Sequence, residues 1–444
     1  MFYRLIIENF RSFGQTVQFD MFPNLKRENL KNHVYPADSN IIAAMKLAAI
    51  YGSNGAGKSN LYKAFEFIKS FCSVFNDKLN ISEWYKKNIF MLPIPKDNPS
   101  IAFLIEFSKN DLNYILNIEL DGNGVKREEL LVSGMGKTNN QRIYLRQYDK
   151  IIFNGITISK QIREIIERQL NSFENSSFIA LNGELKLVND MRLGDCYDWF
   201  LNDVVLLSYY RNIPQLIDML SKNDDLMAFV NTVFSNVGLG LKELDVKNVT
   251  FEEWYADLSD DEKQLFSEGK LNVDANHGII KMHDDRPIAS ITNEDGLKIV
   301  KELLFRQLGK NGYVGDMSVE SQSNGTIKLL ILMPVLFKLV NEDVLVVVDE
   351  FDNCLHPKLL KGIIKYIGEK QTCGQLVFTT HEDYLLDQHE VLRPDEIWIV
   401  DKKDSISQLY SLNEFNLHKT LSIQKGYLDD RFGGTPDINL ISSM

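Results

Sequence analysis

The segment Gly52-Ser53-Asn54-Gly55-Ala56-Gly57-Lys58-Ser59 fits the spacing G-x-x-x-x-G-K-[ST], and no other stretch constrains this chain as strongly. It follows an apolar run from Met45 to Tyr51 and precedes a helical pattern from Lys58 to about Phe75, giving strand, glycine-rich turn and helix. The glycines let the loop turn its N–H groups inward and let phosphate oxygens approach the backbone without Cβ clashes. The helix that starts near Lys58 adds its dipole. Lys58 would reach the β- and γ-phosphates, and the Ser59 hydroxyl would bind Mg2+.

A second signal lies far downstream. The apolar run Val344–Val348 ends in Asp349 and Glu350, at the kind of strand tip where an open α/β sheet binds its ligand. Two adjacent carboxylates beside a buried strand make sense where a cation or a water needs them. Asp349 is assigned to Mg2+ through its water shell, and Glu350 to polarising the attacking water as general base. His381 follows the apolar strand ending at Phe378 and the pair Thr379-Thr380, a place from which it would bond a γ-phosphate or order the water. His356, just before Pro357, suits either a helix-capping or a site role.

Between these signals the pattern changes character. Residues 101–158 read as short β runs broken by DGNG, TNN and NG turns, hence an antiparallel meander. Residues 159–241 show helical spacing, with DCYDWFLNDVVLL as one amphipathic helix. Residues 245–295 read as acidic surface loops around one or two short strands. From Glu302 the order becomes helix, the turn ESQSNGT, a helix over 326–340, the strand VLVVV, a helix after His356 and the strand QLVFTT. Apolar runs alternating with helices predict a parallel sheet covered on both faces. The expected organisation is therefore an α/β head whose halves, 1–158 and 301–444, are split by a mainly helical insertion over 159–300.

Composition sets the boundaries. The chain has 444 residues, 44% hydrophobic and 25% charged, an ordinary globular balance. The 49 basic and 61 acidic residues give a net charge of −12, which argues against a wholesale nucleic-acid-coating or anionic-membrane surface. No run of about 18 apolar residues and no signal-peptide pattern at MFYRLIIENFRSF lead to the expectation of a cytoplasmic protein without membrane contact. Cys72, Cys196, Cys354 and Cys373 stand apart, with neither CxxC nor zinc spacing, and are read as reduced, buried thiols.

These motifs in this order resemble the ABC-type ATPase heads of SMC proteins, RecF and the OLD (overcoming lysogenization defect) ATPases. LIIENFRSFG resembles the opening strand and arginine-containing turn of those heads, which implies that Arg11 lies near the nucleotide. Ser323-Asn324-Gly325-Thr326 resembles the ABC signature, with Ser323 and Gly325 in its serine and glycine places. A hydroxyl and glycine amides at a helix N-terminus make an anion site, and a chain that already owns a phosphate loop would offer it to a second copy. The resemblance implies an ATP sandwich, in which the signature of one head closes over the γ-phosphate on the other and hydrolysis releases the pair.

DEFDNCLHP, FIALNGE, FSNVGLGLKEL, RPDEIWIVDK and the tail YLDDRFGGTP are similar to standalone OLD-like ATPases of bacterial anti-phage and abortive-infection loci. Asp430 stands where that tail usually has glycine, and no Q-loop glutamine is evident as a second Mg2+ ligand. Full OLD proteins carry a TOPRIM nuclease, which needs an Asp-x-Asp pair, and this sequence contains none. The expectation is an ATP-hydrolysing switch, a dimer or higher homo-oligomer, that controls a separate effector protein such as a nuclease or toxin. A DNA-binding repair or chromosome-maintenance ATPase of RecF or SMC type is the alternative, and DNA contact is left open. Lys358, Lys361 and Lys365 form a basic helix face read as solvated, and Tyr209, Tyr210 and Arg211 an aromatic-basic cluster read as packing.

Overall fold

A computed structural model of the chain describes residues 1–38, 41–75, 80–92, 99–172, 176–207, 213–238, 241–268, 271–274, 279–282, 287–294, 297–353, 355–370, 372–386, 390–415 and 422–436. The expected cluster at Tyr209, Tyr210 and Arg211, together with Cys354, lies outside them. The chain divides into two compact units: Met1–Ser208 with Leu339–Asn353 and Leu360–Met444, and Tyr209–Lys338 with Cys354–Leu359.

The first unit is built on two sheets. One is parallel, with strand order Val204–Leu207, Leu345–Val348, Gln375–Thr379, Leu47–Tyr51 and Ile397–Lys403, closed at one edge by the antiparallel strand Ile406–Ser411. Its central strands are buried on both faces, which explains their unbroken runs of Val, Ile, Leu and Ala. The register places Val348 beside Phe378 and Phe378 beside Ala49, so the three strands that carry the sequence signals end side by side. The other sheet is the antiparallel meander, with seven strands from Lys150–Phe153 through Ile101–Lys109 to Phe2–Glu8 and Val17–Asp20.

The helix Lys58–Ser73 lies in the shared core of these sheets. Phe65 meets Phe2 edge to face at 5.4 Å and Phe19 at 6.4 Å, while Phe67 stands 5.5 Å from Phe103. Such rings bury large apolar areas and pin the helix, so its N-terminus is held against the strand tips.

Two expectations for this unit change. Residues 159–208, assigned to the insertion, fold with the first unit, through Phe178, Trp199 and Phe200 in its core. The helix expected over DCYDWFLNDVVLL stops early: Met191–Asp198 is α-helical, Trp199–Asp203 is a π-turn, and Val204–Leu207 is a strand beside Leu345–Val348. Four β-branched and leucine residues suit a buried edge strand as well as a helix turn, and pairing with Leu345–Val348 decides.

The second unit carries the larger correction. Helices run only from Ile213 to Asn236 before the chain becomes an antiparallel sheet, in the order Leu241–Thr250, Leu297–Leu308, Pro287–Glu294, Ile279–Met282 and Leu271–Asp274, with Val314–Met317 added beside Leu297–Leu308. The stretch 245–295, expected as acidic loops around one or two short strands, therefore holds strands and short helices among its described residues, and the helix expected from Glu302 is strand. In LKIVKELLFRQL the apolar residues fit either period; Val300, opposite Val249, packs with Trp254 on one face, while Leu303 and Phe305, the latter opposite Leu244, are buried on the other. Two short helices between strands, Phe251–Asp257 and Asp260–Ser267, open with capping boxes, Thr250 with Glu253 and Ser259 with Glu262. The acidic residues of this stretch thus serve as helix starts.

The helix Asn324–Asn341, expected over 326–340, is the one helix among the described residues long and apolar enough to cross a membrane. Leu329, Leu330, Leu332 and Met333 are buried, and Lys328, Pro334 and Lys338 interrupt it. Cys72 and Cys196 are buried thiols whose pKa values burial pushes up, whereas Cys373, expected to be buried, is exposed.

Candidate functional site

The phosphate loop leaves the strand Leu47–Tyr51 and turns into Lys58–Ser73 through three glycines at positive φ: Gly52 at 154°, Gly55 at 78° and Gly57 at 123°. Two of them also have no room for a side chain. A Cβ on Gly52 would stand 2.4 Å from the Val400 carbonyl oxygen, and one on Gly57 2.6 Å from the Ser407 hydroxyl. The loop backbone is therefore packed directly on its neighbours at these two glycines, with its helix N-terminus open to an anion.

Lys58 is buried and folds back over the loop, its Nζ donating to the carbonyl oxygens of Gly52 at 2.7 Å and Ser53 at 3.2 Å. Burial lowers its pKa, and the carboxylates of Asp349, Asp352 and Glu350 oppose that shift. The ammonium is thus held in a dry place by three negative charges. A polyphosphate entering the loop would replace the two carbonyls as its partner.

Asp349 and Glu350 stand at the tip of Leu345–Val348 and are joined by one neighbour. The Thr379 hydroxyl donates to Asp349 Oδ1 at 2.6 Å and accepts the Glu350 N–H at 2.7 Å. Glu350 has φ of 53°, a left-handed conformation that a carboxylate residue adopts at a cost of about 1–2 kcal/mol. That conformation places an exposed side chain directly after a buried strand, and Asn353 Nδ2 donates to Glu350 Oε2 at 3.3 Å.

His381 lies one residue past Thr380, whose N–H bonds the Ile50 carbonyl at 3.1 Å. The His381 N–H donates to Asp352 Oδ2 at 3.2 Å, while Asp352 Oδ1 is buried with no hydrogen-bond partner among the described residues. Desolvation lowers the imidazole pKa, aided by the charge of Lys58 and opposed by Asp352, Glu350 and Asp349. The loop, the two acids and the histidine therefore share one electrostatic neighbourhood.

Arg11, expected near the nucleotide, sits in the turn after the first strand. It has φ of 53°, its N–H bonds the Asn88 carbonyl at 2.6 Å, and its guanidinium packs over the Phe10 ring at 5.7 Å. Glu66 is the charge that opposes the burial shift, and Nε is buried without a hydrogen-bond partner among the described residues. Arg11 thus flanks the loop helix beside Glu66. Its neighbour Ser12 touches the loop instead, accepting from Asn60 Nδ2 at 2.6 Å and from Ser407 Oγ at 2.7 Å. Ser407 also donates to the Ala56 carbonyl.

In the second unit Ser323 caps the helix Asn324–Asn341, its hydroxyl accepting the Thr326 N–H at 3.2 Å. Ser323 and Asn324 are exposed, with Gly325 half-buried behind them. His356 takes the capping role for Pro357–Glu369, accepting the Lys358 N–H at Nδ1 at 3.1 Å. On that helix Lys361 and Lys365 face Glu390 at 3.9 and 3.6 Å, so much of the basic face is locally balanced.

Four site residues escaped the sequence reading: Ser12, Asp352, Thr379 and Ser407. Asp352 and Thr379 flank motifs that were found; Ser12 and Ser407 are brought to the loop only by folding.

The donors available suit a magnesium nucleotide. Mg2+ takes one or two carboxylates or hydroxyls from a protein and fills its remaining positions with phosphate and water, which matches Ser59 and Asp349 beside a phosphate loop. Among the described residues no group of three or more His, Cys, Asp or Glu side chains forms a self-sufficient metal cage.

A family model described as "AAA domain, putative AbiEii toxin, Type IV TA system" matches residues 47–387. No curated protein matches the chain. The chain is similar to a solved SMC head bound to the C-winged helix domain of ScpA, at 15% identity and TM-score 0.47 over 96% of this chain and 99% of that one. It is also similar to the SMC head domain from Thermotoga maritima, at 15% identity and TM-score 0.40 over 92% and 98% of the two chains.

Proposed function

Because the chain belongs to this AAA-domain family and has an ABC-type ATPase fold, we propose that it binds and hydrolyses ATP with Mg2+, as a cytoplasmic switch in bacterial anti-phage defence controlling a separate effector protein. The observation that carries the reading is the convergence of Lys58, Asp349, Glu350 and His381 at three adjacent strand tips.

In this reading Lys58 leaves the Gly52 and Ser53 carbonyls for the β- and γ-phosphates, and the loop amides take the remaining oxygens. Ser59 and Asp349 hold Mg2+, which would neutralise charge developing on the phosphates. Glu350, exposed and aimed from a strained backbone, accepts the proton of the attacking water. His381, kept neutral by its surroundings, bonds the γ-phosphate or that water. Ser323 and Gly325, at an exposed helix start, complete the site of a second copy, so ATP joins two heads and hydrolysis parts them.

The test is Glu350→Gln. Its ATP affinity is expected to stay within a few-fold of wild type while turnover falls by roughly 10²–10⁴, the usual contribution of a general base. Unchanged turnover removes Glu350 from the role. Salt-sensitive DNA binding that stimulates turnover of the isolated chain would favour the repair-type reading instead.

A further inference from the structure

The tail Tyr427–Pro436 has no role in the chemistry above, yet it is packed against the phosphate loop. Gly434, at φ of 78°, lies so close that its Cβ would stand 3.5 Å from the Cα of Gly52 and 2.6 Å from Ile399. Its N–H points to Asp401 Oδ1 at 3.3 Å, and its carbonyl accepts the Tyr427 hydroxyl at 3.1 Å. Gly433, also left-handed, sits where a Cβ would touch the Tyr410 hydroxyl, which donates to the Phe432 carbonyl at 2.7 Å. Asp430 opens this turn at φ of 55°, which explains why glycine suits the position and why aspartate is tolerated there.

Between this tail and the strand hairpin Ile397–Ser411 lies an open cavity of about 790 Å³ that reaches Ser53 of the loop. Resting on the ATP reading above, we propose that it takes the nucleoside end, base and ribose, of the nucleotide whose phosphates lie on Gly52–Ser59. The size falls within the roughly 300–1,000 Å³ of small-molecule sites. Ser53 belongs to both the loop and the cavity wall, so one ligand can span the two.

The lining suits a nucleoside better than further phosphate. Phe415 lies 5.3 Å from Phe432 edge to face and 5.8 Å from Tyr410, an aromatic wall on which a base can stack. Asp401, Glu414 and Asp430 bring three carboxylates into the same cavity, where they repel phosphate and accept from ribose hydroxyls or an exocyclic amine. The cations there are partly engaged: Lys403 with Asp401 at 3.8 Å, Arg431 with Asp429 at 3.9 Å, and Lys402 near the Gly55 carbonyl at 3.4 Å. The tail thus becomes the second wall of the nucleotide site, positioned by the same glycine that abuts Gly52.

Photolabelling of the full chain with 8-azidoadenosine triphosphate and Mg2+, followed by peptide mapping, tests this directly. Label on residues 401–436 is expected; label confined to the turn Asn9–Gly14 or to another segment overturns the proposal. Calorimetry adds a second arm with the cavity-filling variant Gln408→Trp, on the exposed face of Ile406–Ser411. Wild type should bind ATP at least roughly tenfold tighter than inorganic tripolyphosphate, in keeping with the stacking of one base. Gln408→Trp should erase that preference and leave tripolyphosphate affinity unchanged. Equal ATP affinity in wild type and variant sinks the nucleoside cavity while sparing the phosphate loop. Failure of wild type to bind either ligand removes the ATP reading and this proposal together.

Discussion

Lys58 and the acids around it illustrate how single residues acquire function from their neighbours. A lysine alone on a surface is a solvated charge, but here burial and three carboxylates fix its ammonium over the loop. Asp352 is one of those carboxylates, and its Oδ2 also anchors the His381 backbone. Asp352→Asn keeps the shape while deleting the charge, so turnover should drop roughly tenfold, or about 1.4 kcal/mol in barrier, with ATP affinity nearly preserved. Steady-state kinetics beside calorimetry would check the split. The lowered pKa of His381 means the imidazole is neutral at pH 7, and protonation would add a second positive charge beside Lys58. Turnover should therefore stay flat above neutrality and fall only below the ordinary histidine value of about 6.5. His381→Ala should lower the plateau and abolish that acid limb; an acid limb beginning above pH 7 would contradict the neutral assignment.

At the scale of elements, the phosphate loop is shaped from three directions: by its own glycines, by the hairpin that brings Ser407, and by the first turn that brings Ser12. Gly57→Ala would meet both hydroxyls at less than contact distance and impose a left-handed alanine, costing about 1–2 kcal/mol for the backbone alone. The expected result is a lower melting temperature together with at least tenfold weaker ATP binding, roughly 1.4 kcal/mol. Stability unchanged from wild type would mean that the loop tolerates a Cβ there. The helix Asn324–Asn341 is organised in a simpler way. Ser323 caps it and stays exposed, so the end is satisfied locally while remaining able to meet an anion from outside.

For the whole molecule, the proposed working form is a pair of heads, each supplying a phosphate loop and a signature. Ser323→Arg adds bulk and length at the exposed helix start. In a Glu350→Gln background, light scattering with MgATP should show dimer for the single variant and monomer once Ser323→Arg is added. Calorimetry should find ATP still bound by that monomer. Dimer formation undiminished by Ser323→Arg would remove the signature from the assembly.

Local chemistry was legible in the residues themselves. The order Gly52–Ser59, strand tip, Asp349-Glu350 and His381 identified a phosphate-binding α/β head because each motif needs only a few consecutive residues, and buried parallel strands advertise themselves as apolar runs. The parts decided by tertiary structure are those where two periods compete or where partners lie far apart in sequence. Val204–Leu207 and Leu297–Leu308 became strands because a neighbouring strand offered hydrogen bonds and a buried face. Ser407 and Gly434 reached the phosphate loop across more than three hundred residues of chain, and Ser12 came to it from the first turn. No local pattern encodes that meeting, since it depends on where the sheets place their edges.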